Sequence, residues 1–273
     1  MLKDITLGQY FPGNSLLHRL DPRTKILLTL LYIVLVFTAN SVSAFLFVTL
    51  ATVALVLCSR ISLKILLKSI KPLLIVLIFT AVVNIFWTSG DHLLVELGWI
   101  QIYAEGLMLA ALMVLRIVAL LCGSSVILTY TTSPIALTDG LERLLDPLKK
   151  LKLPVHDFAM MMTIALRFIP TLIEETDKIM SAQKARGADF ESGSLKERAR
   201  ALIPVLVPLF ISSFRRADEL ATAMECRCYH GGEGRTRMTV THLAPRDWIM
   251  LALFLAAGAV ILCLNRFFPL YTI

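Results

Sequence analysis

Long apolar runs separated by short polar breaks dominate the chain. Charge is almost absent from Ile26–Thr38, Val42–Cys58, Pro72–Trp87, Gly106–Tyr130 and Trp248–Leu264. Crossing a hydrocarbon core in helix takes about 20 apolar residues, so these five runs predict membrane spans, the first of them short. The Asn40-Ser41 break carries no charge and predicts a tight hairpin on the far side of the membrane. At the near end, Asp21-Pro22 suits a helix start, with the carboxylate as cap and proline in the first turn.

Between 132 and 246 the pattern changes to amphipathic. Ser133-Pro134 opens a short helix to about Lys150, and Leu153-Pro154 resets direction. Phe158, Met161, Met162, Ala165, Phe168, Ile169, Leu172 and Ile179 then recur at three- and four-residue steps. That stripe predicts a helix of about 30 residues, some ~45 Å long. Pro170 kinks it and Gly187 ends it. After a polar turn, Ala188–Gly193, the run Ser194-Leu195-Lys196-Glu197 has capping-box form. A second stripe follows through Leu202, Leu206, Leu209, Ser213, Ala217, Leu220 and Met224 to Cys228. Ser212, Ser213 and Ala217 are small enough for another helix to cross closely, and Met160, Met161 and Met162 suit either an adaptable contact face or ordinary packing. The apolar stretch 157–173 contains Arg167 and Pro170 and runs into Glu174-Glu175-Thr176-Asp177-Lys178; 201–211 contains Pro204 and Pro208. Both are assigned to helices at the membrane edge or in the cytoplasm.

Composition supports the membrane reading and charge orients it. Apolar residues make up 57% of the chain and the formal net charge is +7; the mean hydropathy is +0.75. Lys and Arg number four in 1–25, four in 59–71 and seventeen in 132–246, and none lies in 39–43 or 88–105. Basic loops stay in the cytoplasm, so the N-terminus and 132–246 are placed there and the C-terminus outside. Arg60, Lys64, Lys68 and Lys71 lie among Ile61, Leu63, Ile65, Leu66 and Leu67, a basic amphipathic stretch suited to an anionic lipid surface. Trp87, Trp99 and Tyr103 read as interfacial aromatics beside the acidic loop of Asp91, Glu96 and Glu105. Arg116 falls inside a span with no acid in any span to pair it. It lines a path or fixes packing, and the missing acid favours packing.

Several chemistries lack their residues. His18, His92, His156, His230 and His242 all fall outside the spans, and no HExxH or GxSxG pattern occurs, which argues against an intramembrane enzyme. No GxxxxGK[ST] loop is present, so ATP binding by this chain is not expected. Internal repeats of a secondary transporter are not visible. The basic balance belongs to membrane topology, so nucleic acid is not an expected partner. Cys58, Cys122, Cys226, Cys228 and Cys263 form no disulfide framework, and Cys226, Cys228 and His230 fall one short of a closed zinc set. No cleavable signal peptide is read ahead of Ile26.

Each long amphipathic helix stops at an arginine between small residues: Ala185-Arg186-Gly187 and Cys226-Arg227-Cys228. A guanidinium fork pairs well with carboxylates or carbonyls in a groove, and small neighbours let a helix end enter one. A single basic residue at a helix end needs only the dipole to explain it; two matched stops about forty residues apart ask for more. The leader Gly8-Gln9-Tyr10-Phe11-Pro12-Gly13-Asn14-Ser15 with Leu20-Asp21-Pro22-Arg23-Thr24-Lys25, the run Gln183-Lys184-Ala185-Arg186-Gly187, and Ala223-Met224-Glu225-Cys226-Arg227-Cys228-Tyr229 carry a resemblance. With them the chain resembles the transmembrane coupling subunit (T component) of energy-coupling factor transporters.

The resemblance implies an all-α polytopic membrane protein of the cell membrane. It would have about five transmembrane helices plus a cytoplasmic coupling domain of two or three long amphipathic helices. On that reading 1–131 holds four spans, 132–246 is the coupling domain with long helices at about 155–187 and 195–228, and 247–273 holds the last span. The family is a set of ATP-binding-cassette importers for vitamins and related micronutrients. Its coupling subunit is not an enzyme and binds no cofactor or metal, ATP being held by two partner ATPases and substrate by a membrane-embedded S component. Ala185, Arg186 and Gly187 would dock on one ATPase, and Cys226, Arg227 and Cys228 on the other. A dedicated cobalt, nickel or biotin system is an alternative within the family. The second motif departs from the family in having cysteines where alanine and glycine are usual, which leaves open how that helix ends.

Overall fold

The computed structural model describes residues 10–90, 92–97, 100–151, 154–190, 192, 194–231 and 242–268. Gly8, Gln9, Asp91, Trp99, Leu153, Gly193 and the loop beyond Gly231 lie outside the described residues, as does the side chain of Glu96. The helices are α1 (Pro22–Thr38), α2 (Val42–Ser59), α3 (Leu63–Ile70), α4 (Leu74–Trp87), α5 (Ala104–Ser124), α6 (Pro134–Leu144), α7 (Val155–Ala185), α8 (Leu195–Glu225) and α9 (Pro245–Phe267). A 3-10 turn at Lys71–Leu73 joins α3 to α4, and a π-helical turn at Ser125–Thr129 extends α5. The basic amphipathic stretch and the third span are thus one continuous helical path. The expected short helix to Lys150 ends at Leu144 and continues as a 3-10 segment, Asp146–Leu151.

The segment between α4 and α5 departs from expectation. It was read as a loop and contains a two-stranded antiparallel ribbon, β1 (Leu93–Leu97) paired with β2 (Ile100–Tyr103). Ile100-Gln101-Ile102-Tyr103 alternates with period two and is rich in strand-favouring side chains.

Among the described residues, five helical stretches are long and apolar enough to cross a membrane: Val42–Ser59, Leu63–Trp87, Ala104–Thr129, Val155–Ala185 and Pro245–Phe267. The set differs from the expected one by a single exchange. α1, with 17 residues, is shorter than any of the five, while α7 enters at a mean hydropathy of 1.2 against 2.2 to 2.4 for the other four. That value describes an 18-residue stretch with no more than two charged residues; α7 as a whole also carries Arg167, Glu174, Glu175, Asp177 and Lys178.

The chain forms two compact units, Gly8–Leu141 with Thr241–Ile273, and Met1–Leu7 with Glu142–Val240. The first has an apolar core, with Leu28, Tyr32, Val36, Val126, Ile127 and Tyr130 buried, and an outer surface that is apolar as well, with Ile75, Phe79, Leu57, Leu46 and Trp87 exposed. Thr24, Lys25, Thr29, Ser41, Thr52 and Ser59 are buried among the core residues. An apolar exterior with polar side chains bonded between helices suits lipid, where helices associate through packing and hydrogen bonds.

α1 sits at the centre of this unit, packed on α5 and α9. The Tyr32 hydroxyl donates to the Ala119 carbonyl at 2.8 Å and pairs with Thr52 Oγ1 at 2.7 Å, tying α1 to α5 and α2. Gly123 faces the Tyr32 ring so closely that an added Cβ would fall within it. One end of α1 is closed by two polar side chains from other helices. Asn265 of α9 donates to the Thr38 carbonyl at 2.6 Å and accepts from the Asn40 and Ser41 amides at 3.1 and 3.2 Å. Arg116 donates to the Ala39 carbonyl at 2.7 Å and stacks on Phe45, 4.8 Å from its ring centre. Its guanidinium therefore holds the hairpin turn, the packing role favoured by the sequence.

The other end of α1 is held by the leader. Asp21 caps the helix as expected, accepting from the Arg23 amide at 3.0 Å. Its own amide donates to Asp247 at 2.9 Å, and the second oxygen of Asp247 accepts from the Ala244 amide at 2.8 Å, so one buried carboxylate fixes the starts of α1 and α9. Lys25 donates to the carbonyls of Thr131 (2.8 Å) and His18 (3.3 Å). His18 meets Ser15 Oγ at 2.7 Å and the Phe11 carbonyl at 2.9 Å, and the Phe11 amide donates to the Tyr130 carbonyl at 3.0 Å. The leader is a polar latch over the end of the helix bundle.

Candidate functional site: two matched helix ends

The second unit is built on α7 and α8. α7 passes through Pro170 without interruption and α8 through Pro204 and Pro208. α8 begins with the expected capping box: Ser194 Oγ accepts from the Glu197 amide at 3.4 Å, and the Glu197 carboxylate accepts from the Ser194 amide at 2.8 Å. Proline lacks an N–H, so Pro208 leaves the Pro204 carbonyl without its helical donor. Gln183 of α7 supplies one at 3.3 Å. Further along, Glu175 of α7 accepts from Ser212 Oγ and from Arg216 at 2.9 Å, and the Arg216 guanidinium lies 6.0 Å from the Phe168 ring centre. As the α7 partner moves from 183 to 168, the α8 partner moves from 204 to 216, so the two helices pack antiparallel. Ser212 lies in the small-residue stretch expected to allow a close crossing.

The two arginine-bearing stops have one backbone design. At the end of α7, Gly187 is left-handed (φ +88), its amide donates to the Lys184 carbonyl at 3.0 Å, and the Ala188 amide donates to Gln183 at 3.0 Å. At the end of α8, Cys228 is left-handed (φ +57), its amide donates to the Glu225 carbonyl at 2.8 Å, and the Tyr229 amide donates to Met224 at 3.1 Å. Both patterns are Schellman motifs. Arg186 and Arg227 therefore occupy the same position, directly before the left-handed residue. Burial repeats as well: Ala185, Arg186, Gly187, Cys226, Arg227 and Cys228 are all exposed, whereas Gln183, Ala188, Met224 and Tyr229 are half-buried. Among the described residues neither arginine forms an ion pair.

The question left by the missing glycine thus has an answer: a cysteine takes the glycine's conformation. An L-residue pays about 1 kcal/mol for that region. Cys228→Gly is therefore expected to tighten the end of α8 by about 1 kcal/mol, read as roughly fivefold slower hydrogen exchange at the Cys228 and Tyr229 amides. Unchanged or faster exchange would show that the cysteine costs nothing there.

Cys226 and Cys228 are free and exposed, and the His230 imidazole meets the Cys228 carbonyl at 2.9 Å through Nδ1. Among the described residues no three His, Cys, Asp or Glu side chains are grouped to hold a metal. The sequence reading missed Asn265, Asp247 and the pairing of Glu175 with Arg216. A lone amide near the end of an apolar helix and an acid in the first turn of another were the available signals for the first two.

Comparison with known proteins places the chain in a family. The family described as "CbiQ: Cobalt transport protein" matches residues 13–238, which includes both arginine stops. A protein of Clostridium kluyveri named "Energy-coupling factor transporter transmembrane protein EcfT" is 56% identical over 250 residues, covering 91% of this chain and 92% of the relative. A Thermosediminibacter oceani protein of the same name is 53% identical over 257 residues, covering 94% and 95%. One from Bacillus subtilis is 46% identical over 265 residues, covering 97% and 100%. The chain therefore belongs to the CbiQ cobalt transport protein family, with proteins named as energy-coupling factor transporter transmembrane proteins among its relatives.

Proposed function

We propose that this chain is the coupling subunit of an ATP-driven importer. It joins two cytoplasmic ATP-binding-cassette ATPases to a membrane-embedded S component that captures a vitamin or related micronutrient. The observation that carries this reading is the matched pair of exposed Schellman ends, each presenting an arginine that has no ion-pair partner among the described residues and lies between small residues. Two copies of one docking element suit two related grooves. Ala185, Arg186 and Gly187 enter one ATPase, and Cys226, Arg227 and Cys228 the other, each guanidinium reaching carboxylates or carbonyls on the groove wall. The N-terminus and the α7–α8 unit are assigned to the cytoplasm. Although α7 is long and apolar enough to cross a membrane, it is the least apolar of the five such helices, and the excess of Lys and Arg in 132–246 supports the cytoplasmic side. The chain is not itself catalytic and binds no cofactor; ATP sits in its partners.

Mechanically, closure of an ATPase pair on ATP changes the separation of the two grooves. α7 and α8, held at their ends, turn against each other, and that motion reaches the S component at the membrane. The exposed apolar side chains of α7 and α8, among them Met161, Met162, Leu206 and Phe210, provide an adaptable surface for it. The test is purification of the tagged chain from its own membranes in mild detergent. Two ATPase subunits and a small membrane protein are expected to accompany it, with ATP hydrolysis in the eluate. Purification of the chain alone, or with a single soluble partner that hydrolyses no ATP, would overturn the reading. The family description favours one narrower form, a dedicated cobalt system. A single S component, with uptake of cobalt and of no vitamin, would select it.

A further inference from the structure

The contacts between α7 and α8 sit at a particular place along the two helices. Glu175 stands eleven residues before Arg186, and Arg216 stands eleven residues before Arg227. At helical rise that is about 16 Å on each arm. The antiparallel packing sends the two arms away from the contact in opposite directions. The contact is also more than a touch. The Glu175 carboxylate takes one hydrogen bond from Ser212 Oγ and a charge-assisted one from Arg216 at 2.9 Å. Phe168, seven residues earlier on α7, lies under the same guanidinium. Side-chain exposures of 23% and 34% leave the pair partly shielded from water. Neither arm, 175–186 on α7 nor 216–227 on α8, contains a proline: Pro170 precedes Glu175, and Pro204 and Pro208 precede Ser212 and Arg216. Phe168 lies before Pro170, and Gln183 meets α8 at Pro204. A helix bends most readily at proline, so the flexible points lie behind the contact and the stiff arms carry it.

We infer that Glu175, Arg216 and Ser212 form the fulcrum of the coupling helices, a positioning cluster that fixes the register at which α7 and α8 cross, so that movement of one docking end about this point is delivered to the other. This rests on the docking reading above and adds to it the residues through which two separate docking events become one motion. A crossing held by packing alone could slide along the apolar stripes. A carboxylate held by a hydroxyl and a guanidinium has one register, because each donor has a fixed position on α8.

Two measurements test the cluster. In the purified complex reconstituted into lipid vesicles, Glu175→Gln and Arg216→Gln are expected to retain both ATPases and ATP hydrolysis while substrate taken up per ATP falls about tenfold. The exchange Glu175→Arg with Arg216→Glu restores most of that ratio. In the full chain alone, in lipid nanodiscs, spin labels at Lys184→Cys and at Cys226, with the other cysteines replaced, report the separation of the two ends. The wild-type distance distribution is expected to be narrow, that of either single variant broad, and that of the exchanged pair narrow again. Single variants as narrow as wild type, or an exchanged pair no better than the singles, would overturn the fulcrum. Failure of the wild-type chain to hold ATPases would overturn the docking reading instead, and the label distances would still decide the fulcrum.

Discussion

Arg186→Glu and Arg227→Glu are each expected to release one ATPase from the complex, weakening its association by at least about 30-fold, and the double variant to release both. The size of the effect follows from the geometry. Each arginine is exposed in the free chain and has no ion-pair partner among the described residues, so its donors are available to a groove. Reversal removes those donors and places a carboxylate against the acceptors that had received them, and a buried like-charge contact costs several kcal/mol. Because the Schellman hydrogen bonds at both ends use backbone atoms only, the reversals leave the helix ends intact. The helical signal in circular dichroism should therefore match wild type. The measurement is subunit stoichiometry after affinity purification, with ATP-dependent uptake in reconstituted vesicles. If both ATPases remain at full stoichiometry in the double variant and hydrolysis stays coupled to uptake, the two helix ends are not the docking points.

Much of this was legible because the responsible signals are local. Asp21-Pro22, the capping box at Ser194 and Gly187 mark helix ends through atoms within four residues, so a linear sequence displays them. The apolar stripe predicted α7 from Val155, and its helical pattern was strong enough to carry through Pro170. The second stop was harder to read, because cysteine gives no sign of a left-handed backbone. Only the hydrogen bonds to Glu225 and Met224 reveal it. The contacts that were not legible are all long-range. Asn265 meets Thr38 across 227 positions, Asp247 meets Asp21 across 226, and Arg216 meets Glu175 across 41. Nothing in the spacing of one helix says which carbonyl of another will need a donor. The ribbon at Leu93–Tyr103 was missed for a different reason. Its strands are short, and the absence of basic residues was used to orient the loop while its period-two pattern went unread.

Gly123→Val is expected to be the most damaging single change in the helix bundle, lowering its stability by about 3 kcal/mol. The midpoint of thermal unfolding in detergent should fall by on the order of 10 °C. α5 approaches α1 so closely at this point that Gly123 lies against the Tyr32 ring. The ring cannot turn aside freely, because its hydroxyl is bound to both Ala119 and Thr52. Apolar burial contributes little to holding helices together in hydrocarbon, so a lost close approach is not made up by contact elsewhere. Two comparisons separate this cause from general disruption. Tyr32→Phe keeps the ring and loses only the hydroxyl contacts, and should cost about 1 kcal/mol. Tyr32→Leu in the Gly123→Val chain removes the ring that the new side chain strikes, so the double variant should be more stable than the sum of the single losses predicts. Strict additivity, or a Gly123→Val chain that melts with wild type, would mean that α5 and α1 are not held by this approach. The Tyr32 hydroxyl bonds would then be an accompaniment to the packing and no longer its anchor.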